Sequence, residues 1–211
     1  MTSAHCCPEK GRNMLKNLFV SEVRVKILKL LLLNPTKSFH VRAIVRAVKA
    51  EINAVRRELD NLISVGLLTK RQSSNKIFYT VDVMHPLFPD LVSILAKDDG
   101  VGAEIIKKQK KLGNITYAIL SRSYLRGRQS TALDVDLFIV GTVDQPELDK
   151  VIKENETATG REINYSVMDE EEFNYRKRTY DQFVMKILSQ SRAMLIGDEE
   201  EFVSVIATHQ S

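Results

Sequence analysis

The sequence predicts a mixed α/β chain of two domains: three helices and a β-hairpin, then a mixed sheet with flanking helices. Apolar residues recur at helical spacing through the first third of the chain, and later apolar strand-like runs alternate with helical segments. Its 211 residues are enough to bury two cores. We predict a disordered tail over residues 1–13, a first domain over 14–85, a connecting helix over 86–102 and a second domain over 103–211.

The composition is that of a globular protein, with 44% hydrophobic and 27% charged residues. No apolar run is long enough to span a membrane and the N-terminus lacks a signal-peptide core, so we expect a cytoplasmic protein without a membrane partner. Cys6 and Cys7 are adjacent in the polar tail, which argues against a disulfide framework. With only His5 beside them, they do not predict a metal site.

Positive charge is concentrated in the first part of the chain. Residues 1–90 carry 15 Lys and Arg against 7 Asp and Glu, whereas residues 91–211 carry 16 against 20. A basic half followed by an acidic half predicts that a polyanion-binding surface belongs to the first domain.

Three helices are predicted in the first domain, over residues 23–33, 41–48 and 52–63. Ser21 and Ser38 are candidate N-caps for the first two, and Gly66 is a candidate C-cap for the third. Strand-like runs over 67–72 and 76–81 then flank a polar turn, with Ile77, Tyr79 and Val81 alternating onto one face.

This order, with a tight break between the second and third helices, is that of a winged helix-turn-helix. In that motif the third helix lies in the major groove of DNA, with an apolar face toward the core. Asn53, Arg56 and Arg57 lie off its apolar stripe, and such side chains make bidentate contacts to adenine and guanine. The alternative is a solvated helix face on which the arginines pair with Glu58 or Asp60.

Polar and basic residues also surround the tip of the predicted hairpin. They are candidates for contacts to phosphates or the minor groove. These wing residues are Lys70, Arg71, Asn75 and Lys76.

The stretches FHVRAIVRAV, INAVRRELDNLISVGLL and KIFYTV resemble the ArsR-like winged-helix transcriptional regulators of archaea and bacteria, over about residues 18–83. The resemblance implies double-stranded DNA as partner, a homodimer reading paired half-sites, and no cofactor for DNA binding. Metal sensing is not implied, because the segment contains no cysteine.

In the second domain we predict strands over residues 115–120, 135–140 and 163–167, and a last strand over 193–196. A lysine-rich helix precedes the first strand, over 103–112, and a polar helix over 145–159 joins the second to the third. Asp169 and Glu172 form a candidate capping box for one helix that continues to Leu188, with Tyr180 inside. A final helix is predicted over 199–206, and residues 98–102 are predicted to be a flexible point.

A motif follows the first of these strands. It reads SRSYLRG over residues 121–127, and Asp134-Val135-Asp136 opens the next strand. Over about residues 101–170 this resembles the minimal nucleotidyltransferase superfamily, whose signature is Gly-Ser-x-x-x-Gly followed by Asp-x-Asp. The whole chain looks like prokaryotic regulators that join such a domain to a winged helix, including the GREINYSV stretch and the late LIGD.

The resemblance implies roles for three groups of residues. Asp134 and Asp136 would bind Mg²⁺ and Glu162 would supply the third catalytic carboxylate if the domain is active. The candidates for nucleotide binding are Ser121, Ser123, Arg126 and Gly127.

Two departures bear on activity. Arg122 stands where the signature has its first glycine, and Asn164 stands where an active enzyme has Asp, two residues from Glu162 on the same predicted strand face. They favour a degenerate domain that serves nucleotide binding or assembly. Two alternatives stay open: an active Mg²⁺-dependent nucleotidyltransferase recruited to its substrate by the winged helix, and an antitoxin-like protein-interaction module.

Overall fold

A computed structural model of the chain describes residues 19–128, 131 and 134–204. It is a mixed α/β structure with two sheets. The described chain separates into two compact units, on either side of Asp99 and Gly100. No helix in the described ranges combines the length and apolarity needed to cross a membrane. The predicted tail, with Cys6 and Cys7, lies outside the described residues.

The first unit contains helices α1 (Glu22–Leu32), α2 (Val41–Val48) and α3 (Ile52–Ser64), which pack around one apolar core. Ser21 caps α1, its Oγ accepting a hydrogen bond from the Arg24 N–H. Side chains from all three helices are almost fully buried, and they include Ile27, Leu28, Leu31, Leu32, Ile44, Val48, Val55 and Leu59.

Residues 49–51 connect α2 to α3 in a tight turn. Lys49 adopts a left-handed conformation, with φ of 51°, and ends α2. Glu51 then caps α3, its carboxylate accepting hydrogen bonds from the N–H groups of Asn53 and Ala54. The predicted cap of α2 is wrong: His40 Nδ1, rather than Ser38, accepts from the Ala43 N–H.

A three-stranded antiparallel sheet completes the core of the first unit. Its strands β1 (Phe39–His40), β2 (Leu68–Ser73) and β3 (Lys76–Val81) are ordered β1-β3-β2. Ile77, Tyr79 and Val81 alternate onto one face of β3 as predicted. Tyr79 and Val81 are buried on that face, whereas Ile77 is 44% exposed. It pairs with Gln72 near the hairpin tip, beyond the part of β3 that β1 covers.

Helix α4 (Phe88–Asp98) closes the first unit, and α5 (Gly100–Leu112) opens the second. Lys29 of α1 forms an ion pair with Asp98, in which Nζ lies 2.7 Å from the carboxylate Oδ2. The segment predicted as a flexible point is therefore mostly helical: α4 reaches Asp98 and α5 resumes at Gly100, whose φ is 69°.

The second unit is built on a four-stranded sheet, ordered β6-β5-β4-β7. Strand β5 runs parallel to β6 and antiparallel to β4, and β4 and β7 are also antiparallel. The strands are β4 (Gly113–Ser121), β5 (Leu137–Val143), β6 (Tyr165–Met168) and β7 (Arg192–Ile196). The remaining helices are α6 (Arg122–Leu125), α7 (Gln145–Thr159), α8 (Glu170–Arg178), α9 (Gln182–Ser189) and α10 (Glu199–Val203).

Helices α8, α9 and α10 bury apolar side chains against the sheet of this unit. Phe173 stacks on Phe202 with ring centroids 5.4 Å apart. The buried cluster comprises Ile119, Phe138, Val140, Met168, Phe173, Val184, Ile187 and Phe202.

The prediction of one helix that opens at the Asp169 cap and continues to Leu188 is wrong. The chain breaks at Tyr180, which has a φ of 54° and is 67% exposed. Asp181 then starts α9 by accepting hydrogen bonds from the N–H groups of Phe183 and Val184. Two helices, α8 and α9, therefore cover the sheet where one helix was predicted. The Asp169 cap is confirmed, because its carboxylate accepts from the Glu172 N–H at 2.7 Å.

Candidate functional site

The outer face of α3 is polar and exposed. Asn53, Arg56 and Arg57 are all exposed, whereas Val55 and Leu59 are fully buried on the other side of the helix. The Glu51 cap fixes the first turn of α3 and so orients Asn53. This places all three predicted base-contacting residues on one outward-facing surface.

Neither arginine of this face forms an ion pair in the described part of the chain. Glu58, one candidate partner, is instead 4% exposed and accepts from Arg24 of α1 at 2.8 Å. The pKa of Glu51 is lowered by hydrogen bonds from the Asn53 and Ala54 N–H groups, with a smaller contribution from Arg56. Because both arginines are exposed and form no ion pair within the described residues, their guanidinium groups remain available to an external anion.

The hairpin β2–β3 carries the predicted wing residues, and Lys70, Arg71, Asn75 and Lys76 are all exposed. Lys70 pairs with Tyr79 and Arg71 with Phe78 across the ladder, so their side chains leave opposite faces of the hairpin. Tyr79 of the hairpin lies close to α3. Burial raises the pKa of its hydroxyl, and the nearby Asp60 carboxylate of α3 raises that pKa further.

Sequence reasoning did not assign three further basic residues of this unit. Arg42 and Arg46 on α2, and Lys49 in the turn, are exposed. Arg42 and Arg46 lie at helical positions outside the apolar stripe of α2, and that pattern in the sequence would have identified them.

In the second unit, the predicted nucleotide-binding residues surround α6. Ser121 is 4% exposed and caps this helix, its Oγ accepting from the Tyr124 N–H at 3.1 Å. Its own N–H donates to the Asp136 carbonyl at 2.7 Å. Ser123 is exposed, Arg126 is partly buried, and Gly127 has a φ of 70°. Ser121 is therefore committed to local structure, whereas Ser123 is exposed.

The two aspartates lie just before β5 and already have partners. Asp134 Oδ2 accepts from the N–H and hydroxyl of Thr131 at 2.9 and 2.8 Å, which lowers its pKa, and Lys186 lies 3.9 Å from Oδ1. Asp136 is 1% exposed, and its Oδ2 accepts from the Asn164 N–H at 3.0 Å.

The described residues do not assemble the carboxylate set of a two-metal centre. No group of three His, Cys, Asp or Glu residues in the described ranges could hold a metal ion. Glu162 is exposed and precedes β6, and the Asn164 amide donates to the Thr131 carbonyl at 2.9 Å. Strand β6 begins at Tyr165, two residues later than predicted. Glu162 and Asn164 therefore both precede the strand on which they were expected to share a face.

Arginines are concentrated around α6. Arg161 Nη2 donates to the carbonyls of Tyr124 and Arg128 at 3.1 and 3.3 Å, and its guanidinium lies 4.3 Å from the centre of the Tyr124 ring. Burial raises the pKa of Tyr124. The C-terminal end of α6 is thus held by a cation that belongs to another segment.

The lysine-rich face of α5 is partly neutralised within the second unit. Lys108 Nζ lies within 4.0 Å of carboxylates of Glu104, Glu147 and Glu154, and Lys107 pairs with Glu104. It is therefore a weaker candidate for a polyanion surface than α3 and the hairpin.

Comparisons with known proteins give no relative. No protein-family model, curated protein or solved structure matches this chain.

Proposed function

We propose that this chain is a DNA-binding transcriptional regulator whose first unit is a winged helix-turn-helix. In this proposal α2 braces against the phosphate backbone, α3 enters the major groove and the β2–β3 hairpin is the wing. The single observation that carries it is the exposed polar face of α3 formed by Asn53, Arg56 and Arg57, whose two arginines form no ion pair within the described residues.

The chemistry of that face suits DNA. Arginine donates in a bidentate manner to guanine O6 and N7, and asparagine pairs with adenine N6 and N7. Val55 and Leu59 anchor the helix in the core, so the polar side chains project from a rigid element. Arg42, Arg46 and Lys49, and the wing residues Lys70, Arg71, Asn75 and Lys76, supply exposed donors for phosphates and the minor groove.

We assign the second unit a supporting role, as a degenerate nucleotidyltransferase-like domain for nucleotide binding or assembly. The order of β4, α6 and β5, with two aspartates before β5, supports the likeness. The hydrogen bonds that already occupy Asp134 and Asp136, and the exposed position of Glu162, favour degeneracy over catalysis. As paired half-sites require two readers, we also propose a homodimer.

The proposal is tested by measuring the affinity of the full chain for random duplex DNA over a range of salt concentrations. Wild type should bind with an affinity that falls steeply with salt, because binding releases counterions from the duplex. The Arg56→Ala/Arg57→Ala variant should lose about tenfold or more in affinity at low salt and show a shallower salt dependence.

A matched control removes two positive charges elsewhere. Lys150 and Lys153 are exposed on α7, and Lys150→Ala/Lys153→Ala should leave the affinity for duplex DNA unchanged. Absence of wild-type binding at low salt would refute the proposal. An equal loss of affinity in both variants would mean that DNA binding reflects non-specific electrostatic attraction and not the polar face of α3. Full function in a cell despite the arginine substitutions would favour the antitoxin-like alternative.

A further inference from the structure

Large apolar side chains that remain exposed in the first unit are grouped around α4. Leu87 is 58% exposed and Ile94 is 42% exposed, although the same helix buries Phe88, Val92 and Leu95. Isolated apolar residues are ordinary on a protein surface, whereas a group of them marks an interaction surface. The exposed side of α4 is therefore a candidate interaction surface.

Leu87, Leu91 and Ile94 form one line along this side of the helix, which we call the α4 stripe. Their spacing of four and then three residues places them on one face, and Leu91 is partly buried. Asp98 occupies the next position of the line, but its side chain is 3% exposed and pairs with Lys29. The α4 stripe therefore has three apolar residues, at the spacing with which two helices pack along a seam.

The apolar surface continues from the α4 stripe to the end of α3. The Leu87 N–H donates to Nδ1 of His85 at 3.2 Å, and Nε2 of the same ring lies 3.0 Å from the Val65 carbonyl. Because Nδ1 accepts, Nε2 carries the proton and donates to that carbonyl. Val65 and Met84, on either side of this contact, are both largely exposed. The surface is thus attached to the helix that is proposed to read DNA.

Two opposite charges lie beside the α4 stripe. Asp90 and Lys97 are exposed and seven residues apart, so they share one side of the helix, and neither forms an ion pair within the described ranges. Consider a second α4 that lies antiparallel, with Leu91 of each copy against Ile94 of the other. Asp90 of each copy then lies beside Lys97 of the other. A parallel arrangement would instead place each charge beside its own equivalent.

We propose that two copies of this chain associate through the α4 stripe, with the two α4 helices antiparallel. This rests on the homodimer of the proposed function and says where the two chains meet. The apolar side chains supply the attraction, because their burial removes apolar surface from water, and the charges select the orientation. Because His85 joins α4 to the end of α3, the same contact sets the relative position of the two α3 helices.

The test is sedimentation equilibrium of the full chain without DNA, at protein concentrations from about 1 to 300 μM. Wild type should dimerise reversibly and weakly, because a stripe of three residues buries a small area. Leu87→Gln/Ile94→Gln should raise the dissociation constant of the dimer about tenfold or more, because it removes the central apolar contacts. Val203→Gln, at a 40% exposed apolar residue of α10, is the matched control and should dimerise like wild type.

Charge reversals test the orientation of the two helices. Asp90→Lys and Lys97→Asp each bring like charges together twice in the antiparallel dimer, and each should raise the dissociation constant about fivefold or more at low salt. Asp90→Lys/Lys97→Asp exchanges the two charges and should dimerise like wild type. Asp90→Asn removes the attraction without adding repulsion, so its effect should be smaller than that of Asp90→Lys.

Thermal melting shows whether each variant is folded. If Leu87→Gln/Ile94→Gln fails to fold, the charge reversals decide, because both of those side chains are exposed. A wild type that stays monomeric over the whole concentration range would overturn the proposal. So would a folded Leu87→Gln/Ile94→Gln variant that dimerises like wild type, or single charge reversals without effect, as a parallel pair or another surface predicts.

Duplex DNA separates this proposal from the proposed function. Leu87→Gln/Ile94→Gln should keep a steep salt dependence on random duplex DNA, because it retains α3 and the hairpin. Arg56→Ala/Arg57→Ala should dimerise like wild type. Dimerisation through α4 by a chain that does not bind DNA would refute the proposed function alone. DNA binding by a chain whose dimer is insensitive to the α4 substitutions would refute this proposal alone.

Discussion

At the scale of single residues, Glu58 shows how a charge on a helix can belong to the core. The sequence made it a candidate partner for the arginines of α3, but it pairs with Arg24 and helps to join α3 to α1. Burial by itself would raise the pKa of Glu58, yet hydrogen bonds from Ser21 and Arg24 outweigh it and hold the pKa below its ordinary value.

The lowered pKa has a definite consequence for stability. The ionised form is favoured in the folded state, so the stabilisation is complete above the ordinary pKa of glutamate and is lost as pH falls through the lowered folded value. We expect Glu58→Gln to reduce the free energy of unfolding at pH 7 by about 1–3 kcal/mol. The difference from wild type should shrink in acid. Urea unfolding between neutral pH and pH 3 measures both.

Asp90→Asn is the control for this experiment, because Asp90 is an exposed carboxylate of α4. It should alter unfolding little at any pH. A Glu58→Gln variant as stable as wild type at pH 7 would mean that the pair with Arg24 contributes nothing net.

At the scale of elements, a bulge between β4 and β5 depends on glycine. The register shifts between Ile115 and Tyr117, and Gly141, opposite Ile115, has a φ of 140°. A Cβ at Gly141 would overlap the Asn114 carbonyl oxygen and lie 3.0 Å from the Ile115 Cα. The strands can approach this closely only without a side chain.

We therefore expect Gly141→Ala to destabilise the second unit by more than the roughly 1–3 kcal/mol that an unfavourable backbone conformation costs. Gly160→Ala is the matched control, since Gly160 has a φ of 68° but no atom within 4 Å of a new Cβ. Gly160→Ala should therefore lower the free energy of unfolding only by what the unfavourable backbone conformation costs. Chemical denaturation of the two variants compares them, and equal losses would contradict the packing argument.

At the scale of the whole molecule, charge divides along the chain in the same way as the proposed roles. The basic surplus lies in residues 1–90, which contain α3 and the hairpin, and residues 91–211 are acidic overall. This division favours DNA contact through the first unit, because an acidic surface is repelled by the duplex.

If two copies read paired half-sites, the complex should contain two chains per duplex. Half-sites one helical turn apart, about 34–36 Å, suit such a dimer. Native mass spectrometry or sedimentation with a duplex selected from random sequence measures this ratio. A single chain per selected duplex, at saturating protein, would contradict the homodimer.

The sequence by itself determined where most helices and strands lie, because apolar periodicity and capping residues act within a few positions of each other. It also determined the polar face of α3, since Asn53, Arg56 and Arg57 follow from helical spacing alone. Features that depend on distant residues were decided by the tertiary structure: the pair of Glu58 with Arg24 and the exposure of Ile77. The same holds for the α4 stripe, because which side of a helix stays uncovered depends on the segments that pack against it, and local spacing does not carry that information.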